Sequence, residues 1–153
     1  MLYHLNIGSN VGDRLANIDR AIAALGRHVK VLAVSEPVRS APWGFDSPNE
    51  FINVGVNVDC DDTPLRLLDV TQAVQREIDP SPHRDEQGNY VDRVIDVDII
   101  AAGSLIVTSR RLTVPHRCMT GRRFVLEPLA ALCPEWVHPV WQLTASEMIA
   151  RLT

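Results

Sequence analysis

A chain of 153 residues with net charge −4 and 46% hydrophobic residues has the size and balance of one globular domain that needs no disulfide or metal to hold its core. The acidic balance argues against nucleic acid or an anionic membrane as a partner, and no apolar run approaches the length of a membrane span. Cys60, Cys118 and Cys133 are odd in number and form no CxxC pair, and no charged-then-apolar leader opens the chain, so the expectation is a cytoplasmic protein without a disulfide framework or zinc site.

Residues 2–7 alternate and predict a first strand. Gly8-Ser9-Asn10 reads as a turn, with Ser9 or Asn10 capping a helix that carries Asp13 in its first turn. Leu15, Ile18, Ile22 and Leu25 then make one apolar helix face, ended by Gly26. Residues 29–38 are rich in β-branched side chains and predict a second strand; residues 40–49 predict a loop. Phe51–Asp59 alternates again as a third strand. Asp62 or Thr63 caps a second helix with Pro64 at its first position, its stripe running through Leu65, Leu68, Val74 and Ile78. A polar loop over residues 80–89 leads to a fourth strand at 94–101.

The order β-α-β-β-α-β predicts an α+β, ferredoxin-like antiparallel sheet with both helices on one face and the other face open. Residues 103–153 add a C-terminal extension of short elements, with helices near 122–132 and 144–152. No repeat or linker divides residues 1–153, which read as a single domain.

In the fourth strand Asp96 and Asp98 are spaced i, i+2 and share one face, while Ile95, Val97 and Ile99 share the other. On spacing alone, the solvated outer face of a half-buried strand is the commoner explanation. Two neighbouring carboxylates repel and raise each other's pKa unless a cation lies between them, and hard oxygen ligands at this spacing suit Mg²⁺ bridged to phosphate. Arg93 adds a forked donor for phosphate oxygens. Lys30 is the sole lysine beside fourteen arginines, of which Arg110, Arg111, Arg117, Arg122 and Arg123 cluster late in the chain as a local anion site would.

Arg93-x-x-Asp96-Val97-Asp98, Arg111-Leu112-Thr113-Val114-Pro115-His116, Arg122-Arg123-Phe124 and the opening Ile7-Gly8-Ser9-Asn10 together resemble the 6-hydroxymethyl-7,8-dihydropterin pyrophosphokinases of folate biosynthesis, over nearly the whole chain. The resemblance implies transfer of pyrophosphate from ATP to the pterin's hydroxymethyl oxygen with release of AMP, and two Mg²⁺ ions held by Asp96 and Asp98. It implies nucleotide contacts from Gln72, Arg84, Arg93, Ile99, Arg111, Thr113, His116 and Arg122. Arg84, Arg93, Asp96 and Asp98 would carry the catalysis. It further implies a pterin sandwiched between Phe51 and Phe124, read by Asn53, with Ser40, Ala41, Trp43 and Tyr90 lining the pocket. The expected partners are these small molecules alone, with no nucleic acid and no membrane, and the expected state is a monomer.

Three departures stand out. Val91 and Asp92 occupy positions where such proteins carry glycine and a proline, alanine or similar residue; Asp92 weakens the positive field beside Arg93 and is expected to point away and be tolerated. The loop over residues 80–90 offers only His83 and Arg84 as phosphate contacts. Arg117 stands where some relatives carry tyrosine. Two other readings fit a ferredoxin-like scaffold, a different Mg²⁺-dependent phosphotransferase and a non-catalytic ligand-binding module. An RNA-binding sheet would carry a basic face, which Asp96 and Asp98 oppose.

Overall fold

The computed structural model describes residues 1–41, 49–80 and 92–152. Strand β1 (Leu2–Ser9) pairs antiparallel along its whole length with β4 (Phe51–Asp59), and along its other edge with β5 (Asp96–Ala101). Two shorter strands, β2 (Lys30–Val34) and β3 (Val38–Ser40), share the outer edge of β4, so the sheet runs β2-β4-β1-β5 with β3 beside β4. The single strand expected over residues 29–38 is therefore two. Pro37 has no N–H to give a ladder, and Ser35 exchanges bonds with one residue, its N–H donating to the Gly55 carbonyl (2.9 Å) and its Oγ accepting from the Gly55 N–H (2.8 Å).

Helix α1 (Arg14–Gly26) starts later than expected. Gly8 and Ser9 remain in β1, Gly12 makes the turn at φ +71°, and Asp13 caps the helix by accepting the Ala16 N–H at 3.1 Å. The buried face is Asn17, Ile18, Ala21, Ala24 and Leu25, while Leu15 points outward, 49% exposed. In α2 (Pro64–Ile78) Thr63 is the cap and Pro64 opens the helix, as expected. The buried residues, however, are Leu67, Thr71 and Val74, at i, i+4 and i+7, and Leu65 is exposed. Both helices cover the sheet face that carries Tyr3, Leu5, Ile7, Val54, Val56, Val58, Val97 and Ile99. Gln75 of α2 also accepts the Val97 N–H at 2.7 Å, occupying a donor on the sheet's outer strand.

The opposite face is not open along its length. After β6 (Val107–Thr108) and β7 (Thr113–Val114), a 3₁₀ turn (Met119–Gly121) leads into α3 (Arg123–Leu132) and then α4 (Ala145–Ala150). These pack a second core of Ile100, Met119, Val125, Leu126, Leu129, Ala145 and Met148 against one half of that face. Thr144 and Glu147 close α4 with a reciprocal capping box. Ile100 differs from its neighbours Val97 and Ile99 only in parity, and parity sends it to this second core. Among the described residues no helix is long and apolar enough to cross a membrane.

The sheet and α3 approach closely at Gly55, where a Cβ would sit 2.7 Å from both Pro128 Cβ and His4 Cε1. Neither neighbour can withdraw: His4 is buried with Nδ1 2.8 Å from Asn57 Oδ1, and Pro128 is rigid. Gly55→Ala should therefore lift α3 off the sheet and cost about 1–3 kcal/mol, read as a lower midpoint in urea at unchanged slope.

Candidate functional site

The half of the polar sheet face left uncovered by α3 and α4 forms the floor of a cleft, and strand register decides what lies on it. Gly8 sits between Asn53 on β4 and Asp96 on β5; two residues back, Asn6 sits between Gly55 and Asp98. Alternation along three strands thus aligns an amide, a bare glycine and a carboxylate in one row, with the second carboxylate in the next. A side chain at Gly8 would meet Asn53 Oδ1 at 2.9 Å and Phe51 at 3.4 Å, so glycine keeps this floor clear.

Two adjoining pockets share a wall made of Arg93, Asp96, Asp98 and Arg122. The first is lined by Phe51, Asn53, Ser40, Ala41 and Phe124, with Asn6 and Gly8 beneath. Asn53 is 2% exposed, and its Nδ2 donates to the Val38 carbonyl (3.2 Å) and Ser40 Oγ (2.9 Å), which fixes the amide with its carbonyl toward Gly8. The Arg122 guanidinium lies 5.8 Å from the Phe124 ring centre, within cation–π range. Arg122 is also the residue from which α3 starts, so its charge stands at a helix end that favours anions.

The second pocket is lined by Ile99, Arg110, Arg111, Thr113, His116 and Arg117, with Leu68 and Cys118. Its arginines are partly engaged. Arg111 pairs with Asp69 at 2.7 Å and donates to Gln72 at 3.3 Å, which is how Gln72 joins the site, and Arg117 reaches Thr113 at 3.5 Å. Arg111 holds Asp69 below the usual carboxylate range. His116 accepts the Cys118 N–H on Nδ1 at 3.2 Å, so its neutral ring carries the proton on Nε2. Burial first, then the charge of Arg122, keeps that ring neutral by lowering its pKa.

Asp98 is the most perturbed acid of the site: burial, then repulsion from Asp96, pushes its carboxyl up to about 8, against the pull of Arg93 and Arg122. Arg93 is committed to Asp96 at 2.9 Å. Beside them the buried carbonyl oxygen of Asn6 accepts from no donor among the described residues. Two adjacent carboxylates, one of which ionises reluctantly, beside this unpartnered amide oxygen are the donor chemistry that fits a hard divalent cation. Two carboxylates, without a third acidic or His/Cys ligand among the described residues, suit Mg²⁺ completed by substrate oxygens and water rather than an all-protein cage.

Of the residues expected at the site, Ser40, Ala41, Phe51, Asn53, Arg93, Asp96, Asp98, Ile99, Arg111, Thr113, His116, Arg122 and Phe124 line these two pockets. Trp43, His83, Arg84 and Tyr90 lie outside the described residues. Gly8-Ser9-Asn10 is neither a turn nor a helix cap. Asn6 and Gly8 belong to the floor, and the alternation of β1 already held that signal. Arg110 and Arg117 belong to the late arginine cluster, whose members the structure divides between this pocket and the α3 surface, where Arg123 pairs with Glu127.

An acidic pair flanked by arginines, between an aromatic-walled pocket and an arginine-lined one, is chemistry that suits a polyphosphate beside a flat ring. The chain matches the family model of 7,8-dihydro-6-hydroxymethylpterin-pyrophosphokinase over residues 4–134. It is 36% identical to 2-amino-4-hydroxy-6-hydroxymethyldihydropteridine pyrophosphokinase of Porphyromonas gingivalis over 140 residues, 90% of this chain and 94% of the relative. The protein of the same name from Methylorubrum extorquens is 34% identical over 97% of this chain and 92% of its own. The folic acid synthesis protein FOL1 of Dictyostelium discoideum is 31% identical over 96% of this chain, which there corresponds to 22% of a longer protein. The chain belongs to the 7,8-dihydro-6-hydroxymethylpterin-pyrophosphokinase family.

Asp98 carries a stability consequence. Its ordinary value is 3.8, so between pH 4 and 8 the folded chain holds a proton that the unfolded chain has lost, and stability falls as pH rises through that window. Asp98→Asn removes the penalty. In chelator at pH 9 it should be more stable than the parent by about 1 kcal/mol or more, roughly 2–4 °C in thermal denaturation, with the gain shrinking toward pH 4.

Proposed function

We propose that the protein transfers pyrophosphate from ATP to the hydroxymethyl group of 6-hydroxymethyl-7,8-dihydropterin, releasing AMP, as a step of folate biosynthesis. The observation that carries this reading is the shared wall: Arg93, Asp96, Asp98 and Arg122 face both the pocket lined by Phe51, Asn53 and Phe124 and the arginine-rich pocket beside it. A pterin ring between Phe51 and Phe124, with its polar edge on the Asn53 amide, directs its hydroxymethyl arm toward that wall. ATP in the second pocket meets Arg111, Thr113, His116 and Ile99, with Gln72 steadying Arg111.

In this reaction the pterin oxygen forms a bond to the β-phosphorus, the bond from that phosphorus to the α,β-bridging oxygen breaks, and the hydroxyl proton leaves to solvent. Two Mg²⁺ ions held by Asp96 and Asp98 would neutralise the phosphate charges and orient the chain of phosphates. Arg93 and Arg122 supply fixed positive charge where the phosphates converge, and His116 offers its Nε2–H. Asp96 and Asp98 are half-buried in this wall, so the contacts they make are screened less than at an open surface. Arg84, Trp43 and Tyr90 enter the proposal on the family resemblance alone, Arg84 as a further phosphate contact. The sheet order β2-β4-β1-β5 supports the ferredoxin-like reading of the fold. Free Cys60, Cys118 and Cys133 support a reducing, cytoplasmic setting, and the working state is taken as a monomer.

AMP release assayed with and without hydroxymethyldihydropterin tests the proposal: release that does not depend on the pterin would overturn it. Asp96→Ala and Asp98→Ala should each lower kcat by about 10²-fold or more at ordinary Mg²⁺ concentration. By contrast, Phe51→Ala should weaken pterin binding by about 3–10-fold in calorimetry, the worth of one ring contact, and leave ATP binding almost unchanged.

A further inference from the structure

Asp92 sits immediately before Arg93, where its negative charge opposes the phosphates that the arginine would hold. The residue is exposed, but each of its carboxylate oxygens has an amide partner. Oδ1 accepts from Asn10 Nδ2 at 2.7 Å, and Oδ2 accepts from Asn49 Nδ2 at 2.9 Å. Asn10 is 2% exposed and reads Arg93 on both sides of its peptide unit: Asn10 Oδ1 accepts the Arg93 N–H at 2.7 Å, and the Asn10 N–H donates to the Arg93 carbonyl at 3.0 Å. Asn10 Nδ2 also reaches the Asn49 carbonyl at 3.3 Å.

An amide can bind in two orientations, and only one of them presents a carbonyl to the Arg93 N–H. A carboxylate only accepts. It therefore forces Nδ2 of Asn10 toward itself, leaving Oδ1 for Arg93, and the same acid ties in Asn49, two residues before Phe51 at the start of β4. One side chain thereby joins the backbone that carries Arg93 to the strand that carries Phe51 and Asn53.

We propose that Asp92 is a positioning residue, which orients the Asn10 amide and so sets the backbone of Arg93 relative to β4; the proposal rests on the function proposed above. Two amide donors and solvent together screen the charge that opposes phosphate, so the acid steers Arg93 at little electrostatic cost. Misplacing Arg93 alters its aim at the reacting phosphates more than either pocket, so the effect falls on kcat.

Asp92→Ala should lower kcat about 10-fold or more with KM for the pterin within about 3-fold of the parent. Asp92→Asn leaves one oxygen for Asn10 but sets an NH₂ against the NH₂ of Asn49, and should also lose activity. The exchanged pair Asp92→Asn with Asn49→Asp restores donor to acceptor and should recover kcat to within about 3-fold. Hydrogen exchange of the Arg93 amide, followed by NMR, reads the clamp without any turnover: faster in both single variants, restored in the exchanged pair. Unchanged exchange in Asp92→Ala, or an exchanged pair no better than Asp92→Asn, overturns the proposal. If the parent itself releases no AMP, the proposed function fails, and amide exchange still decides whether Asp92 positions Arg93.

Discussion

Everything in the site depends on one strand being paired on both edges. β1 hydrogen-bonds to β4 on one side and β5 on the other, so its alternation is imposed on both neighbours. Tyr3, Leu5 and Ile7 must face α1 and α2, because they are the apolar set that the helices bury. Their partners in parity, His4, Asn6 and Gly8, are then committed to the opposite face. A slip of one residue in the β1–β5 pairing would turn Asp96 and Asp98 into the core and Val97 and Ile99 out of it, and one in the β1–β4 pairing would do the same to Asn53 and Val54. The hydrophobic face thus holds the polar face in register, and the cleft needs no separate scaffold.

The polar face is in turn divided by how much of it α3 and α4 cover. Under α3 the buried polar groups are satisfied in part: His4 Nδ1 has a partner, while His4 Nε2 has none among the described residues. His4 pairs with Asn57, Asn57 reaches the Leu132 carbonyl, and burial keeps the imidazole neutral by lowering its pKa to about 4. Beyond the start of α3 the same face turns into the cleft, where Asp96 and Asp98 meet the arginines of the two pockets. Arg122 marks the border, being the end of one region's helix and part of the other's wall. One sheet face thereby serves as interior at one end and as site at the other.

Much of this was legible in the chain itself. The strands β1, β4 and β5, the Thr63-Pro64 start of α2 and the shared face of Asp96 and Asp98 follow from period and composition, whereas the grouping of Phe51, Phe124 and the arginines in one site came from the family resemblance. Where reading failed, the cause was tertiary. Leu15 and Leu65 fit their helices' apolar spacing, but both lie in the first turn, where the sheet no longer covers them, and Leu67 with Thr71 took the buried stripe instead. The break at Ser35–Pro37 depended on Gly55, twenty residues away. Half of the expected open face is covered by a C-terminal extension whose partner surface, Ile100 and its neighbours, is apolar like the first core and differs from it only in parity. Asn10, Asn49 and Asp92 are three separate polar residues in sequence, and only the fold makes them one network.

The row formed by Asn53, Gly8 and Asp96 has a metric consequence. Neighbouring strands lie about 4.8 Å apart, so the amide on β4 and the acid on β5 are two spacings apart, roughly 10 Å between backbones. That interval is set by backbone hydrogen bonds and cannot be tuned by exchanging side chains. The sheet is therefore a ruler laid across the cleft. In the proposed function, a ligand held by the Asn53 amide at one end would bring its reactive arm to the Asp96 end only if its own length matched that interval.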